Sequence, residues 1–173
     1  MRLSAIAIFL TSASLLTFTG TVSAQTATAQ LQPRSGSNVQ GAVTLSQTDR
    51  GLRIEAQVDN LTPNAEHGFH VHQGTDCDTP DASSAGGHFN PTDKPHGEPA
   101  SPHSHAGDLP NLTANSEGTA TLSTVSSEIS LSKGQSNSVI GRTMIVHALP
   151  DDHHSQPAGN AGARVACGVI VQN

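Results

Sequence analysis

The stretch that decides the fold class runs Val39-Gln40-Gly41-Ala42-Val43-Thr44-Leu45-Ser46-Gln47-Thr48-Asp49-Arg50-Gly51-Leu52-Arg53-Ile54-Glu55-Ala56-Gln57-Val58. Val39, Gly41, Val43 and Leu45 alternate with polar residues, Gln47 to Gly51 carries a turn, and Leu52, Ile54, Ala56 and Val58 alternate again. A side-chain period of two puts each set on one face of a strand, so the stretch reads as a hairpin with one buried face.

Outward from this hairpin the same reading extends. Thr26 to Gln32 is a candidate first strand, and Asn60 to Asn64, broken by Pro63, separates the hairpin from an extended segment near His67 to His72. Further strands are expected at Leu109 to Leu112, Thr119 to Val125, Ile129 to Leu131, Thr143 to His147 and Arg164 to Val171. No helical period of useful length is present. About eight short strands with turn signals imply an all-β domain, an antiparallel Greek-key sandwich or flattened barrel of the immunoglobulin-like kind. Residues 73 to 108 are rich in proline and glycine and have no period. A connection that long needs something to tie it down.

At 173 residues the chain is sized for one domain with a real core. Its first 24 residues read as a cleaved secretory signal. Met1-Arg2 is basic, Leu3 to Phe18 is apolar, and Val22-Ser23-Ala24 is a small-x-small cleavage site, with a later cut near Ala29 as the alternative. The domain then occupies 25–173. The apolar run is too short for a membrane anchor, which needs roughly 20 residues, so the mature protein is expected to be exported, to the periplasm or beyond, and free of the membrane. In an oxidising compartment Cys77 and Cys167, the two cysteines present, can bridge; two buried free thiols are the alternative. The formal charge of −6 argues against nucleic acid as a partner, and 2% aromatic content without Trp or Tyr leaves no stacking platform.

Chemistry concentrates between Gly68 and Asp108. On an extended segment His70 and His72 share the face opposite Phe69 and Val71. An isolated His-x-His is as well explained by solvated side chains, but here His88, His96, His105 and Asp108 follow, and His147 ends a hydrophobic strand. Six histidines and one aspartate exceed what one tetrahedral site needs. They can supply an all-imidazole site suited to copper and a mixed imidazole–carboxylate site suited to zinc.

Gly68-Phe69-His70-Val71-His72, Gly87-His88-Phe89-Asn90-Pro91, His105-Ala106-Gly107-Asp108-Leu109 and Gly159-Asn160-Ala161-Gly162-Ala163-Arg164-Val165-Ala166-Cys167-Gly168, with Gly141-Arg142-Thr143 before His147, resemble the motifs of copper/zinc superoxide dismutases. The resemblance implies an eight-stranded Greek-key barrel with long metal-binding loops. It implies copper held by His70, His72, His88 and His147, and zinc held by His88, His96, His105 and Asp108, with one ion of each per subunit. His88 would bridge the two as an imidazolate, leaving copper and taking a proton when copper is reduced. A Cys77–Cys167 disulfide would pin the zinc-ligand loop. The reaction implied is dismutation of superoxide to dioxygen and hydrogen peroxide, with Arg164 guiding the anion and Asp151 hydrogen-bonding one copper and one zinc histidine from outside.

The stretch from Ala148 to Ala158 lacks the lysine and glutamate pattern of eukaryotic members, and Ala158 stands where those carry a threonine. Together with the signal this resembles the bacterial secreted type. The resemblance leaves homodimer and monomer open. His67, His103, His153 and His154 match no motif and are expected to be exposed, with a weak accessory copper site at His153-His154 as the alternative. A non-catalytic copper/zinc-binding protein of the same fold is the competing functional reading.

Overall fold

The computed structural model describes residues 25–173; the signal segment expected at 1–24 lies outside them. Ten strands form in chain order: β1 (Thr26–Pro33), β2 (Gln40–Thr48), β3 (Gly51–Asp59), β4 (Glu66–His67), β5 (Phe69–His72), β6 (Leu112–Thr113), β7 (Ala120–Ser126), β8 (Thr143–His147), β9 (Arg164–Val169) and β10 (Val171–Gln172). Among the described residues the helical content is one 3-10 turn, Ser83–Ala85. No helix among the described residues is long and apolar enough to cross a membrane.

One antiparallel sheet runs in the order β5-β8-β9-β1-β2-β3-β7, with β10 also on β1, and β4 pairs β6 separately. The connections β3 to β5 and β7 to β8 cross between the two ends of this order, which gives the Greek-key path. The expected hairpin forms with Gln40 opposite Asp59 and Thr48 opposite Gly51. The alternation works as read: Val43, Leu45, Leu52, Ile54 and Val58 are fully buried. They share a core with Ala27, Ala29 and Leu31 of β1, Phe69 and Val71 of β5, and Met144 and Val146 of β8.

Three expected strands differ. Ile129 and Leu131 are buried, yet the segment is no strand. Its backbone is satisfied by side chains and a single bridge: Leu131 N–H donates to Gln47 Oε1, Ser130 pairs with Ser138, and Asn137 Nδ2 donates to the Glu128 carbonyl. Leu109 to Leu112 shortens to Leu112–Thr113, because Pro110 has no N–H to give a ladder. The expected last strand is interrupted at Ile170, whose N–H and carbonyl turn to Arg142 and Gly141.

The long loop is what positions the site. Strands β5 and β8 are buried on both faces, an unusual state for antiparallel strands, which commonly leave one face to water. The barrel core covers Phe69 and Val71, and the loop 73–108 covers the other face. A disulfide Cys77–Cys167 anchors that loop and packs with Ala82, Ala85 and Ile145. Segments 87–89 and 107–108 lie alongside β5: Phe89 N–H donates to the Val71 carbonyl, Val71 N–H to Gly107, and Gly107 N–H to Phe89. A Cβ at Gly107 would fall 2.3 Å from the Val71 carbonyl oxygen, so only glycine allows this approach.

Candidate metal centre

The face of β5 that carries His70 and His72 is met by Thr143, Ile145 and His147 of β8. A register shift in the β8–β9 ladder then sets His147 opposite Arg164 rather than the next residue in register. Such bulges re-aim side chains, and this one puts a guanidinium on the histidine face. His88 arrives from the loop, bridged to His72.

The result is two overlapping clusters. His70, His72, His88 and His147 bring one nitrogen each within 4.8 Å of one another, and His88, His96, His105 and Asp108 do the same. His88 belongs to both. All seven are buried, together with Asp151, whereas a His-x-His pair on a strand face would ordinarily be wet.

The outer hydrogen bonds fix which nitrogen each ring presents inward. A carbonyl only accepts, so His72 Nδ1–H donates to Gly86 and His147 Nδ1–H donates to Gly162. Each ring is left with a bare Nε2, and these two nitrogens face each other at 3.4 Å. His70 Nε2 and His96 Nε2 donate to the two oxygens of Asp151 at 2.8 and 2.9 Å. His70 is left with a bare, buried and unpartnered Nδ1. The bare His96 Nδ1 sits 3.1 Å from an Asp108 carboxylate oxygen. His88 Nδ1 lies 2.8 Å from the other Asp108 oxygen, while its Nε2, on the side of the all-imidazole cluster, has no partner. Lone pairs converging on lone pairs repel unless a cation lies between them, so the donor sets fit two metal ions.

The electrostatics agree with that picture. Burial first, then neighbouring imidazolium charge, lowers His70 to about 4 and His147 to about 3, despite Asp151 and the Gly162 carbonyl acting the other way. Burial likewise lowers His72 and His88. His96 moves the other way: burial would lower it, but hydrogen bonds and attraction from Asp108 and Asp151 raise it to about 9. Both carboxyls are buried, which would raise them, yet their histidine partners hold Asp108 and Asp151 far below the usual carboxylate range.

A cleft of about 530 Å³ opens onto His72, His88 and His147, and its walls include Arg164, Ala158, Asn160 and Gln156. Arg164 donates to the Ala82 and Gly86 carbonyls of the disulfide loop at 2.6 Å each, so its guanidinium is held beside the copper-type cluster. Gly159 is the second glycine the site needs. It has φ +63°, and a Cβ there would overlap Asp151 Oδ1 at 1.7 Å and come within 2.8 Å of His96 Nε2.

Of the histidines without a motif, His67 is corrected. It is 2% exposed, and its Nδ1–H donates to the His147 carbonyl at 2.8 Å; the strand period did not reveal this because β4 and β5 are separate strands. His103 and His154 are exposed, and His153 is half-buried beside Asp151. The structure does not bring His153 and His154 into a group of three or more metal-type ligands among the described residues. Gln156 was not singled out by any motif, yet its amide holds the main chain of His96.

Comparison with known proteins gives a consistent result. The family model described as copper/zinc superoxide dismutase matches residues 39–170. A copper-zinc superoxide dismutase of Aquifex aeolicus (strain VF5) is 44% identical over 135 residues, covering 75% of this chain and 79% of that protein. A superoxide dismutase-like protein of Bacillus subtilis (strain 168) is 38% identical over 148 residues, covering 83% of this chain and 75% of its own length. The crystal structure of a SOD-like protein from Bacillus subtilis superposes with TM-score 0.75 at 38% identity, covering 83% of this chain and 97% of that one.

Proposed function

The chain belongs to the copper/zinc superoxide dismutase family, and from that premise we propose that it destroys superoxide by dismutation to dioxygen and hydrogen peroxide. His70, His72, His88 and His147 would hold copper, and His88, His96, His105 and Asp108 would hold zinc. Copper supplies the one-electron couple that oxidises one superoxide and reduces the next, and zinc is structural.

The observation that carries this reading is the His88 ring. One imidazole belongs to both clusters, its Nδ1 beside Asp108 and its unpartnered Nε2 on the all-imidazole side. With copper and zinc held by the two clusters, the ring would give up its one remaining N–H proton, and its Nε2 would be free to hold a proton at the floor of the cleft. Asp151 keeps His70 and His96 in the required tautomer by accepting from both. Arg164 presents a fixed positive charge at the cleft, a means of drawing in a small anion and holding it over Nε2 of His88. Burial of every ligand excludes bulk water from the rest of the site.

We propose further that the protein is exported after cleavage near Ala24. The basic start, apolar run and small-residue site support this, as does the disulfide, which persists in oxidising compartments. The competing reading, a copper/zinc-binding protein without turnover, predicts loss of a copper histidine or of the guiding cation, and both are present here. The test is metal analysis of the purified protein paired with direct measurement of superoxide decay. One copper and one zinc per chain with fast decay is expected; a single ion per chain, or full loading without turnover, overturns the reading.

A further inference from the structure

We propose that Gln156 is a positioning residue for the zinc cluster, holding the main chain of His96 while Asp151 holds its ring. This rests on the reading of His96 as a zinc ligand.

His96 lies in an irregular stretch of the long loop, where no strand ladder supports its backbone. Its N–H donates to Gln156 Oε1 at 2.9 Å, and its carbonyl accepts from Gln156 Nε2 at 2.9 Å. The side-chain amide thus makes with one residue the reciprocal pair that a neighbouring strand would make. The same Nε2 also lies 3.3 Å from the His154 carbonyl. An ordinary surface amide has no reason to be tied at both ends in this way.

The segment that presents Gln156 is itself built by short polar groups. Asp152 Oδ1 accepts from the N–H groups of His154 and Ser155, and Asp152 Oδ2 accepts from Ser155 Oγ and Asn160 Nδ2. These bonds make the turn 152–160 a compact cap, closed by Asp152 N–H on the Gly159 carbonyl and Gly159 N–H on Ser155. The cap starts at Asp151, which fixes His96 Nε2, and returns to His96 through Gln156. Both degrees of freedom of this ligand, ring orientation and backbone position, are therefore set by one segment far along the chain. Gln156 also lines the cleft with Asn160 and Arg164, so the same amide joins the zinc cluster to the substrate wall.

The test uses metal-free full-length protein titrated with zinc, and separately with Co(II) as a spectroscopic probe, against a competing chelator. Gln156→Met keeps the length and removes both hydrogen bonds; Gln156→Ala removes the side chain. Zinc affinity is expected to fall about tenfold in both, the lower end of the effect of removing an outer support of a metal ligand. The Co(II) ligand-field bands should shift in energy or intensity. Ser116→Ala, an exposed change outside the cap whose hydroxyl bonds only Glu117, should leave zinc affinity within about twofold and the Co(II) spectrum unchanged. Wild-type affinity and spectrum in Gln156→Met, or an equal loss in Ser116→Ala, overturns the positioning role while leaving the metal reading intact. Wild-type protein that takes up neither zinc nor Co(II) overturns the metal reading and this inference together.

Discussion

Removing the Cys77–Cys167 bridge in metal-free protein is a direct test of what holds the site's cover in place. The two residues are 90 apart in sequence. For a closed loop of that length the chain-entropy relation gives about 15.5 cal/mol/K, or about 4.6 kcal/mol at 25 °C. The native state keeps other restraints after the bridge is lost. Arg34 Nε still donates to the Cys77 carbonyl, and Arg164 still grips Ala82 and Gly86. The loss should therefore appear mainly as added freedom in the unfolded chain. In a Cys77→Ala/Cys167→Ala variant the expected drop in unfolding free energy is about 4 to 5 kcal/mol. For a domain of this size that corresponds to roughly 10 to 18 °C in Tm. Equilibrium denaturation with guanidinium, run on wild type and variant without metal, reads the free energy directly; without metal, ligand binding does not mask the change. A loss under about 1 kcal/mol would refute the reasoning. It would mean that packing of the loop against β5 and β8, rather than the covalent tie, holds the cover on.

Other outcomes follow from the site. Asp151→Asn leaves one of two imidazole N–H groups facing an amide N–H, so copper and zinc affinities should each fall by about 10- to 100-fold; chelator competition measures this, and unchanged affinities would contradict the shared-carboxylate role. Arg164→Ala should lower the second-order rate of superoxide decay by about tenfold at low salt with copper content full, and the difference should shrink as salt rises; equal rates at low salt would end the guiding role. His88→Ala should weaken copper and zinc together, and native-like affinity at either site would exclude a shared ring. The metal-free protein should be most stable near neutral pH. His70 and His147, lowered to about 4 and about 3, take up protons in the unfolded chain first, so stability falls as pH drops below about 6.5. His96, raised to about 9, contributes fully below about 6.5, and that contribution is lost as pH rises through about 9. Denaturation midpoints between pH 5 and 10 check both arms, and a flat profile would refute the assignment.

Much of the fold could be read in advance because its signal is local. The period-two runs of β2 and β3 need only the chain's own pleat to separate a core face from a wet one, and β8 was placed to the residue. The segment at Ile129 to Leu131 shows the limit. Its side chains are buried as the pattern implies, but whether its backbone joins a ladder depends on Gln47 and Asn137, which supply the hydrogen bonds instead. His67 shows another: nothing local marks a histidine whose partner, the carbonyl of His147, lies 80 residues away.

By itself the sequence determined an all-β chain and put forward seven candidate ligand side chains, because strand period is local and most of the candidates sit in short motifs. Only the tertiary structure decided that those side chains are dry, that the ring expected in both sets lies within reach of both clusters, and that Gln156 joins Asp151 around His96. Those facts depend on a loop folding back over the outer face of β5 and β8 and on a ladder shift that turns Arg164 toward His147. Both are set by close approach between segments distant in the chain, where a missing Cβ at Gly107 or Gly159 makes room and burial decides which lone pairs are left facing one another.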